Sequence, residues 1–211
     1  MIPYSGPIEN LNFCALEYLN DWYRYDYYFV VGLCSEDEDE QLRWLVEAVN
    51  VYRIARNFKA RPGEVRLKQA LRALNATGDS ITDTNIVSAV RKLAGELGSP
   101  DGKVLISAAS KLLWFRYKSP VVIYDGRAHR CLSKQCSGKL AASDYGAYYY
   151  EWREQFLKRE EHIRSACSEL SRVKEFSRAY AVSNKELGTL VGNGWFRERV
   201  FDKFLWWNGG D

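Results

Sequence analysis

The residues that most often announce a site are scarce in this chain. It has one Met, two His and five Cys among 211 residues. The cysteines, Cys14, Cys34, Cys131, Cys136 and Cys167, are odd in number and form no even framework, which argues for a reducing compartment. Cys131 and Cys136 are separated by four residues, and the two histidines add little to them. Neither zinc nor an iron–sulfur cluster is expected, nor any other cofactor. No apolar run approaches the ~20 residues of a membrane span. The opening "MIPYSGPIENLNF" lacks the basic start and apolar stretch of a secretion signal. The expectation is a cytoplasmic protein without a membrane role.

Aromatic residues are plentiful instead. Tyr and Trp number 14 and 7, and hydrophobic residues make up 46% of the chain. That is ample for a packed core and excludes global disorder. Tyr and Trp also suit surfaces that stack on planar ligands. The overall charge of +3 hides an asymmetry. Residues 1–50 carry a net charge of −8 and residues 51–211 a net of +11. The basic portion would attract a polyanion, and the acidic portion a basic protein partner. Ordinary solvation of helix faces explains the same charges without either.

The hydrophobic pattern is helical almost throughout. Residues 9–25 space their apolar positions for a helix. The run "YYFVVGL" fits a strand or a buried helical turn, and its periodicity does not decide between them. "SEDEDE" places acids where a helix N-terminus favours negative charge, ahead of "QLRWLVEAVNVYRIARNF". "RPGE" breaks the chain at Pro62 and Gly63, and "DSITDTN" and "GSPDGK" read as further turns. Between and after them come helices "EVRLKQALRALNAT", "IVSAVRKLAGELG" and "KVLISAASKLLWFRYK". "SKQCSGKLAASD" reads as a loop, followed by a long helix over about 143–169, shorter ones over 172–190, and a last helix in "WFRERVFDKFLWWNGG". In that tail Trp195, Val200, Phe204 and Trp207 are the expected apolar anchors. The reading is all-α: one compact domain over 1–211, as two lobes sharing one core or as a single bundle.

One stretch carries the chemistry. In "SAASKLLWFRYK" Ser107, Lys111 and Lys118 fall along one stripe, with Trp114 beside them. The neighbours Ile106, Ala109, Leu112, Leu113 and Phe115 are apolar. A lysine in such a helix is costly unless it opens onto a cleft or finds a partner. Asp125, expected at the N-cap of the next helix, is the nearest candidate in sequence. An amine in a low-polarity site can act as a nucleophile, and a carboxylate can stabilise a developing cation. An ion pair that merely joins two helices explains both residues equally well.

The segment "SPVVIYDGRAHR" resembles the one that bears the catalytic aspartate in the helix-hairpin-helix DNA glycosylases, with their 8-oxoguanine DNA glycosylase-like fold. There a proline and a short apolar run precede the Asp, and an Arg follows five residues later. Pro120, Val121, Val122, Ile123, Asp125 and Arg130 match, and Gly126 matches the adenine-glycosylase form. The likeness covers about 25 residues. Two departures stand beside it. "GSPDGKVLIS" offers Gly98 and Gly102 but not the close Gly-x-Gly of the superfamily hairpin, whose backbone N–H groups approach a phosphate. Lys111 lies one helical turn nearer the Asp than the superfamily lysine, whose place Ser107 takes, a shift of ~6 Å.

The resemblance implies a glycosylase-like enzyme acting on DNA or another nucleic acid. A nucleotide is flipped into a cleft, Asp125 stabilises positive charge at the sugar C1′, and Lys111 attacks C1′ or only positions the substrate. Ser107, Trp114, Arg116, Lys118, Arg127, His129 and Arg130 are then the candidate nucleic-acid contacts. Each has a plainer reading: Trp114 as core, Arg130 as a brace for its helix, His129 as a packed side chain. An inactive binding module of the same fold, and an interaction subunit working through the acidic N-terminal part, are the alternatives. Proteins of this small type occur in bacterial defence clusters, so the resemblance also allows a role against foreign DNA.

Overall fold

The computed structural model describes residues 7–54, 63–78, 80–98, 102–135, 140–142 and 144–210. Every regular element among them is helical, so the protein is all-α. The breaker Pro62, the turn residues 99–101 and Cys136 lie outside the described residues. The chain forms two compact units, one of residues 25–124 and one of residues 1–24 with 125–211.

The unit of residues 25–124 contains α2 (Tyr27–Leu33), α3 (Glu38–Val51), α4 (Gly63–Asn75), α5 (Ile86–Gly98) and α6 (Ile106–Tyr117). "YYFVVGL" is therefore helix. It packs on α3 and α6 through Phe29, Val30 and Leu33. Asp37 caps α3, its carboxylate accepting the Asp39 amide at 2.9 Å and the Glu40 amide at 3.5 Å. The acidic run thus serves the helix N-terminus. Helices α3, α4, α5 and α6 pack in sequence, each on the next. Helix α6 is buried at every position from Ala108 to Phe115. Phe115 meets Phe29 and Tyr52 edge-on, with ring centroids 5.5 and 5.2 Å away. Burying side chains of this size stabilises by about 1.5–3 kcal/mol each, which makes α6 the axis of the unit. Arg66 is 2% exposed and donates to the Leu97 carbonyl at 3.1 Å, satisfying a helix C-terminus that would otherwise lack a partner.

The other unit contains α1 (Pro7–Asp21), α7 (Gly126–Gln135), α8 (Tyr145–Ser168), the short α9 (Leu170–Val173), α10 (Asn184–Gly192) and α11 (Gly194–Asn208). A π-helical turn, Trp22–Asp26, follows α1. Helix α11 packs on α1, α7, α8 and α10. Its buried apolar residues are Phe196, Val200, Phe201, Phe204 and Leu205. Two expected anchors are therefore corrected: Trp207 is 46% exposed and Trp195 is half-buried. The buried stripe is centred on Val200 and Phe204, and residues 195 and 207 fall at its edges. Asp144 caps α8 by accepting the Gly146 and Ala147 amides at 3.0 and 3.2 Å. Tyr148 and Trp152 on that helix are fully buried, a packing face. Ser183 and Glu186 close a capping box on α10.

Candidate functional site

Helix α6 places Lys111 in apolar surroundings. Its residue is 8% exposed. The ammonium donates to Ser107 Oγ at 3.2 Å, one turn earlier, and lies 6.0 Å from the centroid of the Tyr52 ring. Tyr52 in turn donates to the buried Asp26 carboxylate at 2.5 Å. The stripe foreseen through Ser107 and Lys111 therefore exists. Tyr52 was not foreseen, because it comes from a helix end 59 positions away in sequence and carries no local signal.

Lys118 leaves that stripe. The helix ends at Tyr117, and Lys118 sits at φ +56°. A proline two residues on restricts Ser119 and removes the N–H that would continue the helix. Val121 N–H donates to the Lys118 carbonyl at 2.8 Å, closing the turn. Burial lowers the Lys118 pKa, opposed by the nearby Cys34 thiol. Trp114 has 0% exposure, the core-filling alternative, and presents no face to a ligand. Arg116 is engaged inside its unit: one guanidinium nitrogen donates to the Leu33 carbonyl at 3.0 Å and to Asn75 Oδ1 at 3.1 Å, the C-terminal residues of α2 and α4.

Before α6 lies a helix–turn–helix hairpin with its own glycine logic. Gly102 takes φ +62°. A Cβ on Gly98 would stand 1.7 Å from the Lys103 carbonyl oxygen, so only glycine allows the two backbone stretches to approach. Lys103 N–H donates back to Gly98 at 3.1 Å and Leu105 N–H to Ala94 at 3.1 Å. Downstream, Val121, Val122 and Ile123 are buried, and Ser110 Oγ of α6 accepts the Tyr124 amide at 3.0 Å. The residue immediately before Asp125 is thereby fixed to α6.

In the other unit Asp125 starts α7 as the pattern requires. Its carboxylate accepts the Arg127 amide at 2.9 Å, and its carbonyl accepts the His129 amide at 2.8 Å. The guanidinium of Arg127 lies 4.2 Å from the Trp206 ring centroid. Arg130 donates to the carbonyls of Gly209 at 3.4 Å and Gly210 at 2.9 Å, bracing α7 against the end of α11. His129 stacks against Tyr148, with centroids 6.2 Å apart. Its ring therefore packs on α8.

Asp202 is an electrostatic neighbour of Asp125. It accepts the Trp152 indole N–H and an Arg199 N–H, both at 2.8 Å. Burial raises its pKa to about 6, and the Asp125 charge adds to that rise. The Arg199 charge and the hydrogen bonds from Arg199 and Trp152 oppose it.

Among the described residues no group of three or more His, Cys, Asp or Glu could hold a metal ion, and no helix is long and apolar enough to cross a membrane. The fold and these side chains define an all-α protein with a capping aspartate at the start of a basic helix and a buried lysine on its most enclosed one. Comparison with known proteins finds no family model that matches the chain, no similar curated protein and no similar solved structure.

Proposed function

We propose that this chain is a DNA glycosylase-like protein in which Asp125 assists cleavage of an N-glycosidic bond and Lys111 supplies an amine. The observation that carries the reading is the setting of Asp125. It follows the buried run Val121–Ile123, holds the Arg127 amide, and opens a helix that contains no acid. A carboxylate so placed is pre-oriented before any charge develops on a sugar. As the bond from C1′ to the base breaks, the base leaves with the electron pair and a proton. Asp125 stabilises the oxocarbenium ion that remains. Either water adds at C1′, or the Lys111 amine adds, loses a proton and opens the sugar ring to a Schiff base. Ser107, hydrogen-bonded to Lys111, supports the amine's position. The glycine-dependent hairpin before α6 supports the resemblance in kind, although it lacks the Gly-x-Gly spacing.

The test is incubation with duplex and single-stranded DNA carrying oxidised, deaminated or mispaired bases, scored for abasic sites. Asp125→Asn is expected to lower base release at least ~100-fold. Borohydride is expected to trap an adduct with the wild type and none with Lys111→Met, which keeps the apolar stem of the side chain. Absence of base release and of adducts across that panel overturns the enzymatic reading. A second reading, nucleic-acid binding without chemistry, is favoured by Ser107 standing where the superfamily lysine lies, one turn before Lys111, and by the missing Gly-x-Gly spacing. It predicts salt-dependent DNA affinity that survives Asp125→Asn.

A further inference from the structure

No acidic residue lies between Asp125 and Asp144 in the sequence. Helix α7 uses that freedom asymmetrically. Ala128, Cys131 and Leu132 face inward. Arg127, Arg130 and Lys134 recur at i, i+3 and i+7, which places them on one stripe over about 10 Å at 1.5 Å per residue. Arg130 and Lys134 are exposed and Arg127 is partly so. Two of Arg130's donors are engaged by Gly209 and Gly210, and its guanidinium carries five. On a helix that carries no acid of its own, such a row of cations offers positive charge to a polyanion.

The stripe ends beside aromatic surface. Arg127 covers Trp206 at 4.2 Å. Trp207, whose ring meets Trp206 edge-on at 5.2 Å, is 46% exposed. Phe13, 43% exposed, meets Trp207 edge-on at 5.4 Å. The indole N–H of Trp207 donates to Glu17, and Lys203 stands 3.7 Å from the same carboxylate. The hydrogen bond fixes the ring, and Lys203, which also pairs with Asp21 at 2.5 Å, partly offsets the two carboxylates of α1. An exposed, pinned indole next to a row of cations matches what an unpaired nucleotide requires: a flat apolar face for the base and positive charge for its phosphates. An acidic protein segment would use the cations and leave the indole unemployed.

We infer that the outer edge of α7 and the end of α11 form a nucleic-acid track, with Arg127, Arg130 and Lys134 holding phosphates and Trp207 stacking an unpaired base. The inference rests on the nucleic-acid reading above and gives it a strand path.

The probe is a fluorescein-labelled oligothymidylate, with a duplex of equal length and polyglutamate as comparisons, titrated by anisotropy at low and moderate salt. Trp207→Ala is expected to weaken oligothymidylate about tenfold, and Trp207→Phe to recover most of that loss. Lys134→Glu is expected to weaken both nucleic acids and to reduce the salt slope by about one. Lys134 is exposed, so the circular dichroism melt of its variant should match the wild type, whereas Trp207→Ala loses the Glu17 hydrogen bond and two ring contacts and is titrated at a temperature where its own melt shows it folded. If the wild type binds and these variants bind equally well, the track is wrong while the nucleic-acid reading stands. If they weaken binding yet no DNA yields abasic sites, the track stands and the enzymatic reading falls. If polyglutamate competes as well as oligothymidylate, or no oligonucleotide binds at low salt, the track is overturned.

Discussion

The indole N–H of Trp152 donates to the Asp202 carboxylate at 2.8 Å, joining α8 to α11 across 50 positions of sequence. Arg199 holds the other carboxylate oxygen at 2.8 Å. All three side chains are buried.

This carboxylate makes stability depend on pH. Its pKa is raised from 3.8 to about 6, chiefly by burial. Between about pH 4 and pH 6 the folded chain keeps a proton that the unfolded chain has released, so this group's contribution to stability falls as pH rises through that window. The loss approaches roughly 3 kcal/mol above it. Asp202→Asn still accepts from Trp152 and does not titrate. Urea unfolding at about pH 4 and pH 7 is expected to show the wild type losing stability relative to this variant. Parallel profiles would refute the assignment.

The hairpin before α6 should separate two glycines of one helix. Gly98→Ala places a Cβ 1.7 Å from the Lys103 carbonyl, and the forced displacement is expected to cost more than about 2 kcal/mol. Gly95→Ala meets nothing within 4 Å and is expected to stabilise α5 by about 0.5–1 kcal/mol. Chemical denaturation of the two variants beside the wild type measures both signs.

Arg116→Ala tests a bracing role against a phosphate contact. Loss of its bonds to Leu33 and Asn75 is expected to destabilise by about 2 kcal/mol. Arg116→Lys is expected to restore less than half, because an ammonium lacks the planar fork of donors. Under the proposed nucleic-acid reading, the salt dependence of oligonucleotide affinity is expected to stay unchanged. A changed slope with unchanged stability would reverse the assignment.

The thiols should divide by burial. Cys34 is exposed, whereas Cys14, Cys131 and Cys167 are buried. Burial pushes Cys14 and Cys167 up to about 12, and it also raises Cys131, against the pull of Arg159 and Lys134. Thiolate is the reactive form. Iodoacetamide at neutral pH is expected to alkylate Cys34 in the native protein and the three buried cysteines only after unfolding, as read by mass spectrometry of peptides.

Much of the site was legible because its signals are local. Asp125 before Gly126 announces a cap, and the hydrogen bond to Arg127 spans two residues. Lys111 among apolar neighbours announces a buried amine, and Ser107 lies one turn away. The partners of Arg127, Arg130 and Arg116 were not legible. Trp206, Gly209, Leu33 and Asn75 reach them through packing of helices far apart in sequence. Lys118 misled the pattern because helical spacing was extended one residue past the end of the helix at Tyr117.

The sequence by itself determined that this chain is helical, that α6 is enclosed, and that an aspartate opens α7. Periodicity, capping and breaker residues act within a few positions of the chain, so they can be read along it. Tertiary structure alone decided which cations brace helices and which face solvent, that Trp207 is exposed while Trp114 is sealed, and that Asp202 shares the electrostatic environment of Asp125. Those outcomes depend on how side chains from distant helices exclude water, and burial is a property of the packed assembly that no single segment encodes.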